Sequence, residues 1–105
     1  MGIFRRGARD EAQFPAPADT APIGSAGPRR HIRVCGEVSR LRVTPARGVP
    51  SLCVQVSDGT GTVVAVWTGR RSLGGVSLGR RIILEGVAAE SPDGLTFMNP
   101  AYELL

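Results

Sequence analysis

The chain has 105 residues, enough for one domain, and its 42% hydrophobic and 21% charged residues exclude a wholly disordered protein. The formal net charge is +4; all thirteen cations are arginines, and the excess lies in residues 29–105, where ten arginines are set against six acids. No apolar run approaches the roughly 18 residues of a membrane span, and the N-terminus lacks the apolar core of a signal peptide, so we expect a cytoplasmic protein.

The residue types that most often hold metals or perform catalysis are few. Cys35 and Cys53 are isolated thiols without CxxC spacing, and His31 is the single histidine. We therefore expect no metal site and two buried or half-buried free thiols in a reducing compartment. The carboxylates form no recognisable local motif and no P-loop is present, so we expect no enzyme, no catalytic residue and no cofactor.

The N-terminal residues 1–28 are predicted to form a flexible tail. Residues 15–28, PAPADTAPIGSAGP, contain four prolines, two glycines, four alanines and one charged residue, a composition that favours a disordered linker. The segment before it carries Ile3, Phe4 and Phe14 among mixed charges, and is either a docking peptide or a frayed tail. The folded domain is predicted to occupy residues 29–105.

From His31 the hydrophobic pattern changes to β-strand alternation. The segment HIRVCGEVSRLRVT alternates up to Val38 and resumes one residue out of phase at Leu41, which predicts a long strand bent by Gly36 and a bulge. TPARGVP is predicted to be a loop, and SLCVQVS the second strand.

The remaining segments predict three more strands. DGTG (58–61) is the strongest turn signal and precedes the third strand, TVVAVWT. GRRSLGGVSLG is a connection with at most one helical turn. RRIILEGVAAE is the fourth strand, SPDG a turn, and LTFMNPAYELL a fifth strand interrupted by Pro100. Five short antiparallel strands predict an all-β chain that forms a small closed or nearly closed barrel.

Several segments resemble the OB-fold, in particular GEVSRLRV, VSDGTGTVVAVW and LGRRIILEGVAAE. The motifs APIGSAGPRRHIRVCGEV, PARGVPSL, DGTG, VWTGRR, EGV and MNPAYELL, in this order, are similar to those of small actinobacterial OB-fold nucleic-acid-binding proteins, over roughly residues 21–105. The resemblance implies a five-stranded OB-fold Greek-key barrel that binds nucleic acid. The sequence departs from the family pattern at Leu78, where a proline is usual.

The length of the 58–61 loop decides which way Trp67 points. With a loop of two or four residues, the sequence numbers of two paired residues add up to an odd number. Trp67 then shares a face with inward Leu52 and lies in the core. The outward set is then Ser51, Cys53, Gln55, Thr62, Val64 and Val66, which has neither a ring nor a charge. A three-residue loop would turn Trp67 outward. We favour the even loop, because a single tryptophan on a strand is more often a core residue.

Without an outward aromatic ring, nucleic-acid binding would depend on arginine–phosphate contacts, which predicts salt-sensitive binding with little sequence specificity. The candidate arginines lie on the first strand, in the loop after it, after the third strand and at the start of the fourth: Arg40, Arg42, Arg47, Arg70, Arg71, Arg80 and Arg81. Gln55 is the candidate for contact with a base edge. Arg29, Arg30 and Arg33 either extend the footprint or are bystanders.

The sequence therefore predicts a nucleic-acid-binding module that prefers single-stranded DNA, with RNA as the second choice. The alternative is a protein-interaction module, favoured by outward Val64 and Val66; a third interpretation is that scattered arginines only solvate the surface. Convergence of the arginines on one groove favours nucleic acid, and dispersion favours the protein partner. Asp58 is assigned to its turn, and Tyr102 to packing of the C-terminal segment.

Overall fold

Six β-strands form one sheet that closes into a barrel. The computed structural model describes residues 16–46, 48–92 and 94–105. The strands are β1 (His31–Ala46), β2 (Val49–Ser57), β3 (Thr62–Thr68), β4 (Arg81–Ser91), β5 (Gly94–Met98) and β6 (Ala101–Leu104). Their order is β1–β2–β3–β5–β4–β6, and an additional β1–β4 pairing closes a ring of five. Among these described residues there is no helix of the length and apolarity needed to cross a membrane.

The predicted all-β barrel is confirmed, with two differences in its strands. The β3–β5 pair is parallel, whereas the sequence predicted antiparallel strands throughout. The predicted fifth strand is divided into β5 and β6, both of which pair with β4. The division falls at Asn99, whose φ is 50°, and at Pro100, which has no N–H to donate to a ladder.

The predicted loop TPARGVP is mostly strand. β1 and β2 continue to Ala46 and Val49, and Pro45 lies opposite Pro50 in their register. Gly48 has a φ of 81°, which allows the chain to reverse within a short turn. The prolines led to the prediction of a loop because proline has no N–H to donate. Near the end of a sheet, however, not every ladder hydrogen bond is made, so proline is tolerated in a strand there.

The bulge predicted in the first strand is confirmed by a register shift between Val38 and Arg40. Before the bulge, β1 pairs with β4 from His31 to Glu37; after it, β1 pairs with β2 only. Gly36 is required where β1 crosses the barrel corner, since a Cβ there would lie 2.8 Å from both the Ser57 carbonyl oxygen and Val56 Cγ1.

The core lies inside the ring and is built from one face of each strand. Leu52 pairs with Trp67 in the β2–β3 register, so the loop has four residues and the predicted inward position of Trp67 is confirmed. The Trp67 indole N–H donates to the Pro100 carbonyl oxygen at 3.1 Å. The largest fully buried side chains of this core are Phe97, Ile82, Leu84, Val34, Val38, Val54, Val56 and Val63. Ile83 is buried as well, but on the outer side of β4, opposite Cys35.

The segment before β1 differs from the linker that its composition predicted. A 3-10 helix spans Ile23–Ser25, and the Ile23 side chain is only 3% exposed because it packs into the barrel core. The Ala21 N–H donates to the Arg33 carbonyl oxygen at 2.8 Å, which ties the segment to β1. The N-terminal residues 1–15, including the candidate docking residues Ile3, Phe4 and Phe14, lie outside the described part of the chain.

Candidate nucleic-acid interface

One side of the barrel collects the outward residues of four neighbouring strands. The paired register forms two rows across these strands. One row runs Arg40, Gln55, Val64 and Thr96, and the other runs Arg42, Cys53, Val66 and Met98. These eight residues, together with Ser51, are called the front face. Because side chains alternate along each strand, all of them point away from the core. The predicted outward set of the β2–β3 hairpin is therefore confirmed, and β1 and β5 extend it.

Two unpaired cations border the front face. Arg40 and Arg42 are exposed, and within the described residues neither forms an ion pair. The centre of the face beside them is half-buried and uncharged, formed by Cys53, Gln55 and the two valines. A charged border next to a neutral centre can hold phosphates at one side and bases over the middle.

Arg70 and Arg71 lie at the end of this face, where β3 finishes. Gly69, with a φ of 77°, donates its N–H to the Pro50 carbonyl oxygen at 2.7 Å, and both arginines follow immediately. Both are exposed and, within the described chain, make no ion pair. Arg47, which belongs to the β1–β2 turn, lies outside the described residues.

Arg80 and Arg81 are not brought to the front face. Arg80 donates from Nε to the Leu105 carbonyl oxygen at 3.2 Å, beside β6. Because β1 and β6 occupy opposite edges of β4, this bond directs Arg80 away from Arg40. Arg81 directs its guanidinium towards the Cys35 sulfur at 3.5 Å, on the outer side of the first half of β1. Of the six candidate arginines that the structure describes, Arg40, Arg42, Arg70 and Arg71 therefore converge on or beside the front face, and the other two do not.

An ion-pair network lies on the opposite side of the barrel. This side is called the rear face and is formed by the outer surfaces of β4, β6 and the first half of β1. The Arg33 guanidinium contacts three carboxylates there: Nε lies 3.0 Å from an oxygen of Asp19, Nη1 lies 3.0 Å from one of Glu85, and Nη2 lies 3.3 Å from one of Glu103. His31 Nε2 lies 2.8 Å from the second Glu85 oxygen. Hydrogen bonds from His31 and Arg33 lower the pKa of Glu85. Arg33 therefore serves this network and does not extend the front face.

The two cysteines lie on opposite faces in different environments. Cys35 is buried on the rear face, and its burial raises the pKa of the thiol despite the nearby Arg81. Cys53 is half-buried on the front face, with its sulfur 3.6 Å from the Thr44 hydroxyl. Both thiols are free, as the sequence predicted.

Met98 is a front-face residue that the sequence analysis missed. Its side chain is 55% exposed, whereas the neighbouring Phe97 is fully buried. The signal was available in LTFM, where alternation from Leu95 and Phe97 as inward residues leaves Met98 outward. It extends the apolar part of the front face from β3 onto β5, on the side away from the arginines of β1.

The ring of five strands, with β1 paired to both β2 and β4, defines an OB-fold barrel. Among solved structures, the chain is similar to the second OB-fold domain of replication protein A from Methanococcus maripaludis. The TM-score is 0.64 with 13% identity, and the match covers 82% of this chain and 94% of that one. It is also similar to part of RecG bound to a three-way DNA junction, with a TM-score of 0.59 and 14% identity over 74% of this chain and 11% of the RecG chain. No protein-family model matches the chain, and no curated protein matches it in sequence.

Proposed function

We propose that this OB-fold chain binds single-stranded nucleic acid, preferably DNA, on its front face, mainly through arginine–phosphate contacts and with little sequence specificity. The observation that carries this proposal is the separation of charge. Arg40, Arg42, Arg70 and Arg71 are unpaired within the described residues and lie on or beside the front face, which contains no carboxylate. The rear face holds Asp19, Glu85 and Glu103 around Arg33. A polyanion would be attracted to the front face, whereas on the rear face the carboxylates offset the charge of the arginines that lie there.

The preference for a single strand follows from the uncharged centre of the front face. Val64, Val66 and Met98 offer apolar contacts that an unpaired base can use, whereas the base faces of a duplex are stacked on one another. No aromatic ring lies among the front-face residues, so discrimination between bases is expected to be weak. The two structural neighbours support the proposal: one is a domain of replication protein A, and the other is bound to a DNA junction.

The proposal is tested by fluorescence anisotropy of labelled single-stranded DNA, RNA and duplex DNA at several salt concentrations. We expect saturable binding that weakens linearly with the logarithm of salt concentration. The double variant Arg40→Glu and Arg42→Glu should bind more weakly. Its slope of log affinity against log salt concentration should be shallower by about 1.4 for single strands, because each of two lost phosphate contacts contributes roughly 0.7. The matched control is Arg30→Glu with Arg80→Glu. Arg30 is exposed directly before the rear-face half of β1, and Arg80 bonds to Leu105. This variant has the same net charge as the front-face variant and should bind more tightly. No binding at low salt, or equal losses in the two variants, would refute the proposal.

The native cysteines provide a second measurement on the unmodified chain. A thiol reagent should label half-buried Cys53 faster than buried Cys35 in the free protein. Single-stranded DNA bound on the front face should slow labelling of Cys53 and leave Cys35 unchanged. Protection of neither thiol in a saturated complex would place the nucleic acid elsewhere on the barrel.

A second candidate function, docking of a protein partner, is favoured by one observation. Val87 on β4 and Met98 on β5 are both exposed and flank the register pair Ala88–Phe97. Exposed apolar residues on a sheet can bury an extended peptide. If the chain binds no nucleic acid, Met98→Glu is the variant with which to test loss of a partner captured by the wild-type chain.

A further inference from the structure

Among the tyrosine, tryptophan and phenylalanine residues that the structure describes, Tyr102 is the accessible one. Phe97 and Trp67 are buried, whereas Tyr102 on β6 is 39% exposed. The Tyr102 and Trp67 rings meet almost perpendicularly, with centroids 5.6 Å apart and an angle of 74° between their planes. Such a contact uses at most one face of the tyrosine ring, so a face remains available for another flat group.

The connection after β3 carries two arginines that form no ion pair within the described residues, and it starts next to the residue that contacts this ring. It begins after Thr68, one residue beyond Trp67, and reaches β6 at Gly75, where a Cβ would meet the Leu104 side chain. β6 therefore contacts the chain at two points, through Tyr102 at the end of β3 and through Leu104 at Gly75. Arg70 and Arg71 lie between these two points, and three residues of extended chain span at most about 10 Å from Trp67 to Arg70.

We propose that Tyr102, Arg70 and Arg71 form a subsite that stacks one unpaired base and holds its flanking phosphates at the end of the barrel. This inference rests on the proposed function and adds a contact that the front face lacks. Stacking on an aromatic ring accepts any base, because every base has a π face, and nearby guanidinium groups neutralise the adjoining phosphates. The subsite requires an unpaired base, so it contributes to single-strand binding and not to duplex binding.

The first test uses the wild-type chain. Tyr102 is its single tyrosine, so nitration by tetranitromethane reports on this ring when the nitrated peptide is identified by mass spectrometry, apart from oxidation of the two thiols. A saturating short oligothymidine should slow nitration several-fold, and a duplex of the same length should not. Trp67 is the single tryptophan, and its fluorescence should change in the same titration because its ring contacts Tyr102.

The second test compares two substitutions by anisotropy, with thermal unfolding of each variant as the control for folding. Tyr102→Phe keeps the ring and should bind single-stranded DNA like the wild type. Tyr102→Leu keeps an apolar contact with Trp67 but removes the stacking surface, and should bind at least about five-fold more weakly, the smallest loss expected for one stacked base. If Tyr102→Leu fails to fold, the nitration result decides.

The outcomes separate this inference from the proposed function. Binding with Cys53 protected, but with unchanged nitration and unchanged affinity of Tyr102→Leu, would overturn the subsite and leave the front-face proposal intact. Equal losses in Tyr102→Phe and Tyr102→Leu would also overturn it, because the ring would then not be the group that binds. Absence of binding by the wild-type chain would overturn both.

Discussion

Replacement of Ile23 by alanine tests whether the segment before β1 is part of the folded domain. Ile23 is 3% exposed and belongs to the same buried cluster as Val56 and Val63. Its position is held by two hydrogen bonds to the β2–β3 loop: the Ile23 N–H donates to Asp58 Oδ2 at 3.0 Å, and the Gly24 N–H donates to the Thr60 hydroxyl at 2.9 Å. The segment therefore cannot move inwards freely to fill the space left by a smaller side chain.

The expected loss of stability follows from the atoms removed. Ile23→Ala deletes three buried carbons, at about 0.8 kcal/mol each, and leaves a cavity whose cost adds to this transfer term. We expect the free energy of unfolding to fall by about 2–4 kcal/mol. For a domain of this size, a loss of ~2.5 kcal/mol corresponds to a decrease in Tm of about 10–20 °C.

The assay is thermal and urea unfolding followed by circular dichroism, with Leu78→Ala as the matched control. Leu78 is 65% exposed, so its truncation should change the free energy of unfolding by no more than about 0.5 kcal/mol. If Ile23→Ala unfolded at the same temperature as Leu78→Ala, Ile23 would not be a core residue in solution. The segment would then be the linker that its composition predicts.

Two further predictions concern the same junction. Gly24→Ala should destabilise the domain by about 1–3 kcal/mol, since the new Cβ would collide with the Thr60 carbonyl oxygen, whereas Gly74→Ala, with open space around it, should be nearly neutral in the same unfolding assay. Burial alone would raise the pKa of Asp58, but hydrogen bonds from Ile23, Thr60 and Gly61 outweigh it and lower the pKa. Asp58 therefore stabilises the fold fully above its unfolded pKa of about 4, and this contribution is lost as the pH falls through the lower folded value. The stability difference between wild type and Asp58→Asn should shrink below pH ~4 in urea titrations, and a difference independent of pH would contradict the assignment.

Local patterns predicted most of the barrel. The phase change at Leu41 identified the bulge, and DGTG with the flanking alternation identified the β2–β3 register and the buried Trp67. These features depend on the two-residue period of a strand and on turn chemistry, both of which are encoded in neighbouring residues. Asp58 was correctly assigned to the turn, where it accepts hydrogen bonds from the N–H groups of Thr60 and Gly61.

The features that the sequence analysis missed depend on contacts between distant residues. The APIGSAG segment reads as a linker because Ile23 is its single large apolar residue, and docking requires Gly24 and Gly61 to approach closely across the chain. The candidate arginines were listed by their positions along the chain, which could not show which of them lie close together. Arg80 donates to the carbonyl of Leu105, a contact that no local pattern encodes.

The bulge in β1 explains how one strand contributes to two faces, one with paired charges and the other with exposed arginines. Before the bulge, odd-numbered residues point outward, and His31 and Arg33 join the carboxylates of the rear face. After it, even-numbered residues point outward, so Arg40 and Arg42 lie beside Gln55 and Cys53 on the front face. Without the extra residue, the alternation would turn both arginines towards the core and Leu41 towards solvent. The same residue that bends the strand around the barrel therefore also creates the positive border of the proposed binding face.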